Sequence, residues 1–430
     1  MNIFLDIIGC RLNQSEIEGF ANTFRALGHQ IVSDPAEADV AIVNTCAVTV
    51  KAAADSRKKL RRAGRKGAPD VVATGCWVSL YPQAAKNLAG VTKVITNEQK
   101  NDLVSQVLGI SPDALAKLDW LREPLPGDRA RTRAFIKVQE GCDNHCTYCL
   151  TRLARGRSRS RSFEEIQQDV EAALNGGVKE IVLTGVQLGA WGKDLNKPRN
   201  LDNLLAEILS IRHIQRLRLS SIEPWDFHPE WLGLWEDERL CRHLHIPLQS
   251  GSDAILKRMG RPIRIAQYLD LVEVIRQKVP EIAITTDVIT GFPGESEDQF
   301  EETIKICQQI GFAAGHVFTY SPRPGTPAFQ MVDQVPVQDA KSRNARLRDV
   351  FEVLGYQYRN QFISQKMNVL WESSEQLEDL QWQLSGLTDN YIRVKTKASH
   401  DFSNKITPVL LESHHKSEGA LIGRIVDSIK

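Results

Sequence analysis

The chain has 430 residues, of which 42% are hydrophobic and 25% charged, and a formal net charge of +1. This composition is that of a globular protein with several domains, and it excludes an intrinsically disordered or collagen-like chain. Residues 1–6 lack the basic start and long apolar stretch of a signal peptide, and no apolar run is long enough to span a membrane, so we expect a cytoplasmic protein without a membrane partner.

Residues 1–115 alternate short apolar runs with helical patterns, which predicts a small doubly wound parallel sheet. The apolar runs 3–8, 40–44 and 71–74 are each followed closely by a cysteine: Cys10, Cys46 and Cys76. Parallel strands of an open sheet bind ligands at their carboxyl ends, so the three thiols could converge on one metal site. For any one of them alone a buried apolar role is the preferred interpretation, whereas the three together favour the metal site.

The helix predicted at 51–66 has one acidic residue, Asp55, among many basic ones. The basic residues at i and i+4 spacing form a stripe that comprises Arg57, Lys58, Arg61, Arg62 and Arg65. A stripe of one sign favours a polyanion such as RNA, whereas the alternative is a solvated helix face.

Residues 116–133 are polar and contain proline, glycine and arginine, which predicts a linker. From 134 to 365 strands and helices alternate again, with strands predicted near 134–138, 180–184, 217–220, 244–248, 282–289 and 315–319. Six such units predict an incomplete (βα)6 barrel of the TIM type, whose active site lies at the carboxyl ends of its strands.

The first barrel strand leads into Cys142, Cys146 and Cys149. The CxxxCxxC spacing supplies three thiolates to an iron-sulfur cluster and leaves one iron without a protein ligand. A structural zinc site needs a fourth ligand at close spacing, and ferredoxins supply four cysteines per cluster. The spacing resembles the cysteine motif of the radical S-adenosylmethionine enzymes.

Residues 366–430 lose the helical periodicity and alternate polar with apolar residues, which predicts a small β-barrel. Tyr391, Arg393 and Lys395 would share one strand face there and could stack on bases and contact phosphates. Arg155 and Arg157, which follow the cysteine motif, add positive charge near the mouth of the central barrel. Together with the stripe at 57–65, these residues favour tRNA as the partner.

Four motifs together resemble the methylthiotransferases: GCRLNQSE at 9–16, NTCAVT at 44–49, GC at 75–76 and GCDNHCTYC at 141–149. The resemblance implies an N-terminal cluster domain, a central radical barrel and a C-terminal β-domain called TRAM. It also implies two [4Fe-4S] clusters. Cys142, Cys146 and Cys149 would hold the radical cluster, and Cys10, Cys46 and Cys76 would hold an auxiliary one.

In that family one S-adenosylmethionine is the methyl donor, and a second is cleaved to a radical that removes a substrate hydrogen. The resemblance therefore also implies a reducing electron donor protein and a sulfur source as partners. The residues expected to contact S-adenosylmethionine lie in strand-end motifs of the barrel and are Thr184, Gly185, Ser221, Glu223, Gln249, Asp287 and Gly291. Ordinary barrel turns remain an alternative for these motifs. After Cys149 the sequence LTRLA departs from the common family pattern, so the shape of this loop is not implied.

Branches of the family modify isopentenyladenosine or threonylcarbamoyladenosine beside the tRNA anticodon, or an aspartate of a ribosomal protein. Residues 13–16, 45–49, 56–57, 61–63 and 131–134 most resemble the threonylcarbamoyladenosine branch. We therefore predict 2-methylthiolation of N6-threonylcarbamoyladenosine at tRNA position 37. The other two substrates stay open, as does a noncatalytic iron-sulfur protein that binds RNA.

Overall fold

The computed structural model describes residues 1–112, 132–378, 381–416 and 419–426. Most of the predicted linker 116–133 lies outside these residues. The chain divides into two units. The first comprises Met1–Asn144, Cys149–Val178 and Leu183–Arg199, and the second comprises His145–Tyr148, Lys179–Val182 and Asn200–Lys430.

The first unit contains a parallel five-stranded sheet of order β2-β1-β3-β4-β5. Its strands are β1 (Asn2–Ile7), β2 (Gln30–Val32), β3 (Val40–Thr45), β4 (Asp70–Gly75) and β5 (Lys93–Ile95). The central strand β3 is buried along its whole length, as is typical of a parallel strand with helices on both faces, and its first four residues are all apolar. The predicted doubly wound parallel sheet is confirmed.

Helices cover both faces of this sheet. They are α1 (Arg11–Ala26), α2 (Val50–Arg65), α3 (Cys76–Leu80), α4 (Pro82–Lys86) and α5 (Leu103–Leu108). Alternate residues of β3 enter two separate cores, with Ala41 and Val43 in one and Val40 and Ile42 in the other. Helix α2 begins after Thr49, whose side chain accepts a hydrogen bond from the Ala52 N–H.

The first unit also contains the start of the central region. Its elements are β6 (Arg133–Lys137), β7 (Gln139–Glu140), α6 (Thr151–Arg155), β8 (Arg159–Ser160) and α7 (Phe163–Asn175). Strands β7 and β8 pair antiparallel and flank the predicted radical cysteines. Strand β9 (Glu180–Thr184) has residues in both units.

The second unit continues the alternation with β10 (Arg216–Leu219), β11 (His243–His245), β12 (Ala283–Thr290) and β13 (Ala314–Thr319). Strands β11, β12 and β13 pair in parallel. The helices are α8 (Leu201–Ser210), α9 (Asp253–Arg258), α10 (Ile265–Lys278), α11 (Glu297–Ile310) and α12 (Val337–Asn360). The six strands β6 and β9 to β13 match the six that the sequence predicts for the central region.

The C-terminal strands close into a barrel of order β14-β15-β16-β18-β17. They are β14 (Lys366–Gln376), β15 (Trp382–Thr388), β16 (Arg393–Ala398), β17 (Ile406–His414) and β18 (Leu421–Ile425). Trp371 and the other buried side chains of this barrel form one core. The small all-β unit predicted for this part of the chain is therefore confirmed.

Arginines of β10 attach this barrel to the rest of the second unit. Arg216 donates hydrogen bonds to the backbone carbonyls of Leu387 and Asn368. Arg218 donates to the carbonyls of Thr388 and Asp389.

In the described part of the chain, no helix combines the length and apolar character that crossing a membrane requires.

Candidate active site

Cys10, Cys46 and Cys76 follow β1, β3 and β4, three neighbouring parallel strands whose carboxyl ends meet at one edge of the sheet. The Gly9 backbone lies so close to Cys46 that a Cβ atom on Gly9 would be 2.9 Å from the Cys46 Sγ. Burial is the main cause that raises the pKa of the Cys46 thiol to about 11, and the nearby Cys76 and Cys10 contribute in the same direction. Cys46 therefore lies within electrostatic range of both Cys76 and Cys10.

Gly75 permits this convergence. Its φ is +98°, and a Cβ atom there would lie 2.4 Å from the carbonyl oxygen of Thr45. No other residue would allow the end of β4 to approach the end of β3 so closely at this backbone conformation.

The cysteines of both triplets accept hydrogen bonds from the backbone in the same way. The N–H two residues ahead donates to the sulfur in three cases, each at 3.4 Å: Val48 to Cys46, Asn144 to Cys142 and Thr151 to Cys149. Such donors stabilise thiolates and are the usual neighbours of cluster ligands. Within the described ranges no three Cys, His, Asp or Glu side chains are grouped around a single ion.

Two glutamines that sequence reasoning missed shape the loop at Cys142. Gln187 Oε1 lies 3.5 Å from the Cys142 Sγ and accepts the Asp143 N–H at 3.2 Å. Gln139 is fully buried; its Oε1 accepts the Gln187 N–H, and its Nε2 donates to the Gly141 carbonyl. Neither glutamine belongs to a recognisable sequence motif, so only the fold reveals the roles of the two side chains.

Cys146 belongs to the second unit, where the segment His145–Tyr148 is fixed by backbone contacts. The Thr147 N–H donates to the Met259 carbonyl, and the Thr147 carbonyl accepts the Ala328 N–H. The neighbouring Arg261 was not identified from the sequence. Burial disfavours its charge, but Glu223, Tyr148 and Cys146 together raise its pKa above the ordinary value.

Six of the seven residues predicted to contact S-adenosylmethionine lie at or after the carboxyl end of a barrel strand, and Asp287 lies within β12. In the first unit Thr184 is buried, and Gly185 packs against Gln139, with a Cβ position 3.0 Å from its Oε1. In the second unit Ser221 is exposed and forms an isolated parallel bridge with His245.

The remaining predicted contacts belong to the second unit. Glu223 accepts a hydrogen bond from Arg261 Nη2 at 2.7 Å. Gln249 adopts a positive φ of 67°, and Asp287 lies 3.4 Å from His245 Nε2. Gly291 lines a cavity of about 340 Å³, and a Cβ atom on it would lie 2.3 Å from the Ala340 Cβ. Close packing against α12 is therefore one sufficient reason for this glycine.

The basic stripe of α2 lies on the surface. Lys58, Arg61, Arg62 and Arg65 are exposed, and Arg57 is half-buried, with its guanidinium 5.7 Å from the centre of the Trp77 ring. The opposite face of α2 is buried in the sheet core. Arg157, in the loop after α6, is also exposed.

Three of the predicted RNA contacts do not have the surroundings that the sequence suggested. Arg155 is only 3% exposed and pairs with Glu16, so its guanidinium is buried and not on the surface that the sequence suggested. Tyr391 precedes β16 with a φ of +67° and stacks on His243 at 4.0 Å, rather than sharing a strand face with the basic residues. Arg393 pairs with Glu372. Lys395, by contrast, is half-buried within β16.

Comparison with known proteins identifies the class first. Residues 136–307 match the Radical SAM superfamily, and residues 2–97 match the Uncharacterized protein family UPF0004. Among solved structures, the radical S-adenosylmethionine methyltransferase TsrM from Kitasatospora setae aligns with a TM-score of 0.58 at 16% identity, over 76% of this chain and 75% of its own. This likeness concerns the fold alone.

Curated relatives are more similar. Threonylcarbamoyladenosine tRNA methylthiotransferase MtaB from Bacillus subtilis is 33% identical over 98% of this chain and 96% of its own length. The protein of the same name from Thermotoga maritima is 37% identical over 86% of this chain and 86% of its own length. The tRNA-2-methylthio-N(6)-dimethylallyladenosine synthase of Staphylococcus aureus (strain Newman) is 33% identical over 94% of this chain and 81% of its own. The chain belongs to the methylthiotransferase family of radical S-adenosylmethionine enzymes. S-adenosylmethionine and [4Fe-4S] clusters are accordingly its cofactors.

Proposed function

We propose that this enzyme attaches a methylthio group to C2 of N6-threonylcarbamoyladenosine at position 37 of tRNA. The observation that supports this most strongly is the match to the MtaB protein of Bacillus subtilis over nearly the full length of both chains. The synthase from Staphylococcus aureus, whose name specifies dimethylallyladenosine, is matched over a smaller share of its length.

The proposal divides the chain by task. Residues 1–115 would hold the auxiliary cluster, 134–365 would form the radical barrel, and 366–430 would bind RNA. Cys10, Cys46 and Cys76 would ligate one [4Fe-4S] cluster, and Cys142, Cys146 and Cys149 the other. The hydrogen bonds from backbone N–H groups to Cys46, Cys142 and Cys149 support this ligand set.

When bound, the clusters and S-adenosylmethionine supply the radical and the sulfur chemistry. The task of the protein is to fix the ligands, to orient the cosubstrate and to exclude water. Arg261 is suited to orienting the cosubstrate. Its side chain is fully buried beside Glu223, and its Nε and Nη1 have no hydrogen-bond partner among the described residues. We place Arg261 and Glu223 together at the S-adenosylmethionine site, with Thr184, Gly185, Ser221, Gln249, Asp287 and Gly291 as its other proposed contacts.

The tRNA would contact the α2 stripe and Arg157, with the anticodon loop directed to the cysteine motifs and Lys395 as a contact on the C-terminal barrel. Reaction with tRNA in the cytoplasm would further require an electron donor protein and a source of sulfur.

The test is mass analysis of tRNA nucleosides from a strain that lacks this chain. Loss of 2-methylthio-N6-threonylcarbamoyladenosine, restored by the wild-type chain, supports the proposal. Loss of the methylthiolated isopentenyladenosine instead would assign the other tRNA substrate. Unchanged nucleosides would direct attention to a ribosomal protein or to a noncatalytic role.

Complementation with two triple variants separates the clusters. Replacement of Cys142, Cys146 and Cys149 by Ala should abolish cleavage of S-adenosylmethionine. Replacement of Cys10, Cys46 and Cys76 by Ala should spare cleavage but abolish the methylthio product. Product formation at the wild-type rate by the second variant would exclude these cysteines from sulfur transfer.

A further inference from the structure

The first unit contains a buried group of charges in which two cations share one carboxylate. Glu16 in α1, Lys100 in the 3-10 helix Asn97–Asp102 and Arg155 at the end of α6 have side chains that are only 2 to 3% exposed. Lys100 Nζ lies 2.8 Å from Glu16 Oε2, and Arg155 Nη1 lies 2.7 Å from Glu16 Oε1. These three residues together have a net charge of +1.

Among the described residues, the salt bridges show one further carboxylate near this group. Glu140 Oε2 lies 3.9 Å from Arg155 Nη1, but Glu140 has two cationic partners of its own, Lys137 at 3.3 Å and Arg159 at 2.7 Å. The excess positive charge is therefore not cancelled by Glu140.

The excess charge lies beside the proposed auxiliary site. Arg155 Nη2 donates to Asn13 Oδ1 at 2.7 Å, and the Cys10 Sγ lies 3.9 Å from the same oxygen. Asn97 Nδ2 donates to the Ala154 carbonyl at 2.7 Å and lies 3.8 Å from the Cys76 Sγ. Arg155 and Ala154 of α6 therefore each contact an asparagine that lies beside an auxiliary cysteine. Asn13 lies beside Cys10, and Asn97 lies beside Cys76.

The electrostatics of Arg155 agree with this placement. Burial disfavours its charge, yet Glu16, Cys76 and Cys10 outweigh burial and raise the pKa of Arg155 well above the ordinary value. The charge is therefore permanent at any pH at which the protein is folded.

Arg155 also lies close in sequence to the radical cysteines. Helix α6 begins at Thr151, two residues after Cys149, so the segment that follows the radical cysteines contacts the asparagines beside Cys10 and Cys76.

We propose that Arg155 is a positioning residue of the Cys10, Cys46 and Cys76 site, which places a permanent positive charge beside that site from the segment that follows Cys149. The inference rests on the proposed auxiliary cluster. A nearby cation favours the more negative, reduced state of a cluster, so Arg155 should raise the reduction potential of the auxiliary cluster.

The test uses the full-length chain with Cys142, Cys146 and Cys149 replaced by Ala, so that only the auxiliary cluster is present. Its midpoint potential is measured by anaerobic redox titration followed by electron paramagnetic resonance. Arg155→Met should make one-electron reduction about tenfold less favourable, which corresponds to about 59 mV. Glu16 keeps Lys100 as a partner in this variant, so no buried carboxylate is left alone.

Two further variants distinguish charge from packing. Arg155→Lys keeps the charge and should retain most of the wild-type potential. Glu16→Gln removes the opposing negative charge and should shift the potential upward. A purely structural disturbance would not shift the potential in opposite directions in the Arg155 and Glu16 variants. The matched control is Arg157→Met, which removes an exposed arginine two residues away and should leave the potential unchanged.

The outcomes separate this inference from the proposed function. Absence of iron from the parent triple variant would contradict the auxiliary cluster itself. A cluster whose potential is the same with Met or Arg at position 155 would overturn the role of Arg155 alone. If Arg155→Met does not retain a cluster, Glu16→Gln decides: a raised potential supports the inference, and an unchanged or lowered one overturns it.

Discussion

Gly141 and Arg157 are in backbone contact at the start of the radical cysteine loop. A Cβ atom on Gly141 would lie 1.8 Å from the Arg157 carbonyl oxygen, and the φ of Gly141 is +72°. Gly141→Ala should therefore displace Cys142, whose N–H donates to the Gly156 carbonyl in the same turn. We expect the purified variant to hold about half the iron of the wild type and to have lost reductive cleavage of S-adenosylmethionine. Iron analysis and measurement of 5′-deoxyadenosine check this.

Gly9→Ala tests the other cysteine triplet, because the added Cβ would collide with Cys46 in the proposed auxiliary site. It should keep the cleavage activity and lose methylthio product. Gly28→Ala is the matched control: Gly28 has a φ of +81°, but nothing lies within 4 Å of its Cβ position. A control that loses as much iron as Gly141→Ala would show that backbone strain, and not the local collision, is responsible.

The cysteine positions could be predicted from the sequence because parallel strands impose a rule: residues that follow neighbouring strands meet at one edge. The partners of those cysteines could not. Arg155 and Glu16 are separated by 139 positions, and no local pattern distinguishes a buried arginine from an exposed one in a run such as RGRSRSR. The expected strand position of Tyr391 could not be predicted for a different reason, since the chain turns at that residue and β16 begins only at Arg393.

Arg261 provides a test of the S-adenosylmethionine site. Its guanidinium lies 4.6 Å from the centre of the Trp225 ring and donates to Glu223, while Nε and Nη1 stay unpaired within the described part of the chain. A buried arginine with unused donors suits a carboxylate ligand. Arg261→Met should weaken S-adenosylmethionine binding by at least about tenfold, measured by calorimetry. Arg264→Met, at an exposed position three residues later, is the control. Equal affinities for both variants would remove Arg261 from the site.

Asp389 should make the stability of the second unit depend on pH. Burial disfavours its carboxylate, but Arg242, Arg216 and Arg218 outweigh burial and lower its pKa below the ordinary value. A carboxyl group with a lowered folded pKa stabilises fully above its unfolded pKa of about 3.9 and loses that contribution as pH falls through the folded pKa. Asp389→Asn should therefore cost about 1 to 2 kcal/mol at pH 7 and progressively less below about pH 4. Urea unfolding of both proteins across this range is the measurement. A difference that does not depend on pH would contradict the assignment.

The α2 stripe provides the test of RNA binding. Arg61 and Arg62 are exposed, whereas Leu60 and Ala63 on the opposite face are buried in the sheet core, so charge reversal should leave the fold and the iron content unchanged. Each phosphate contact that is lost should lower the slope of log affinity against log salt by roughly 0.7 to 0.9. Arg61→Glu with Arg62→Glu should therefore weaken tRNA binding and flatten its salt dependence by about 1.5 units in a filter-binding titration.

The matched control for the stripe reverses two exposed basic residues on α12, Lys341→Glu and Arg348→Glu. The formal charge change is the same, so a general loss of attraction between protein and RNA would affect both double variants equally. A specific contact would affect only the α2 variant. If both variants bind tRNA with the wild-type salt slope, the stripe is a solvated helix face. Arg157, which is exposed, and then Lys395 would be the next residues to replace in locating the tRNA contact.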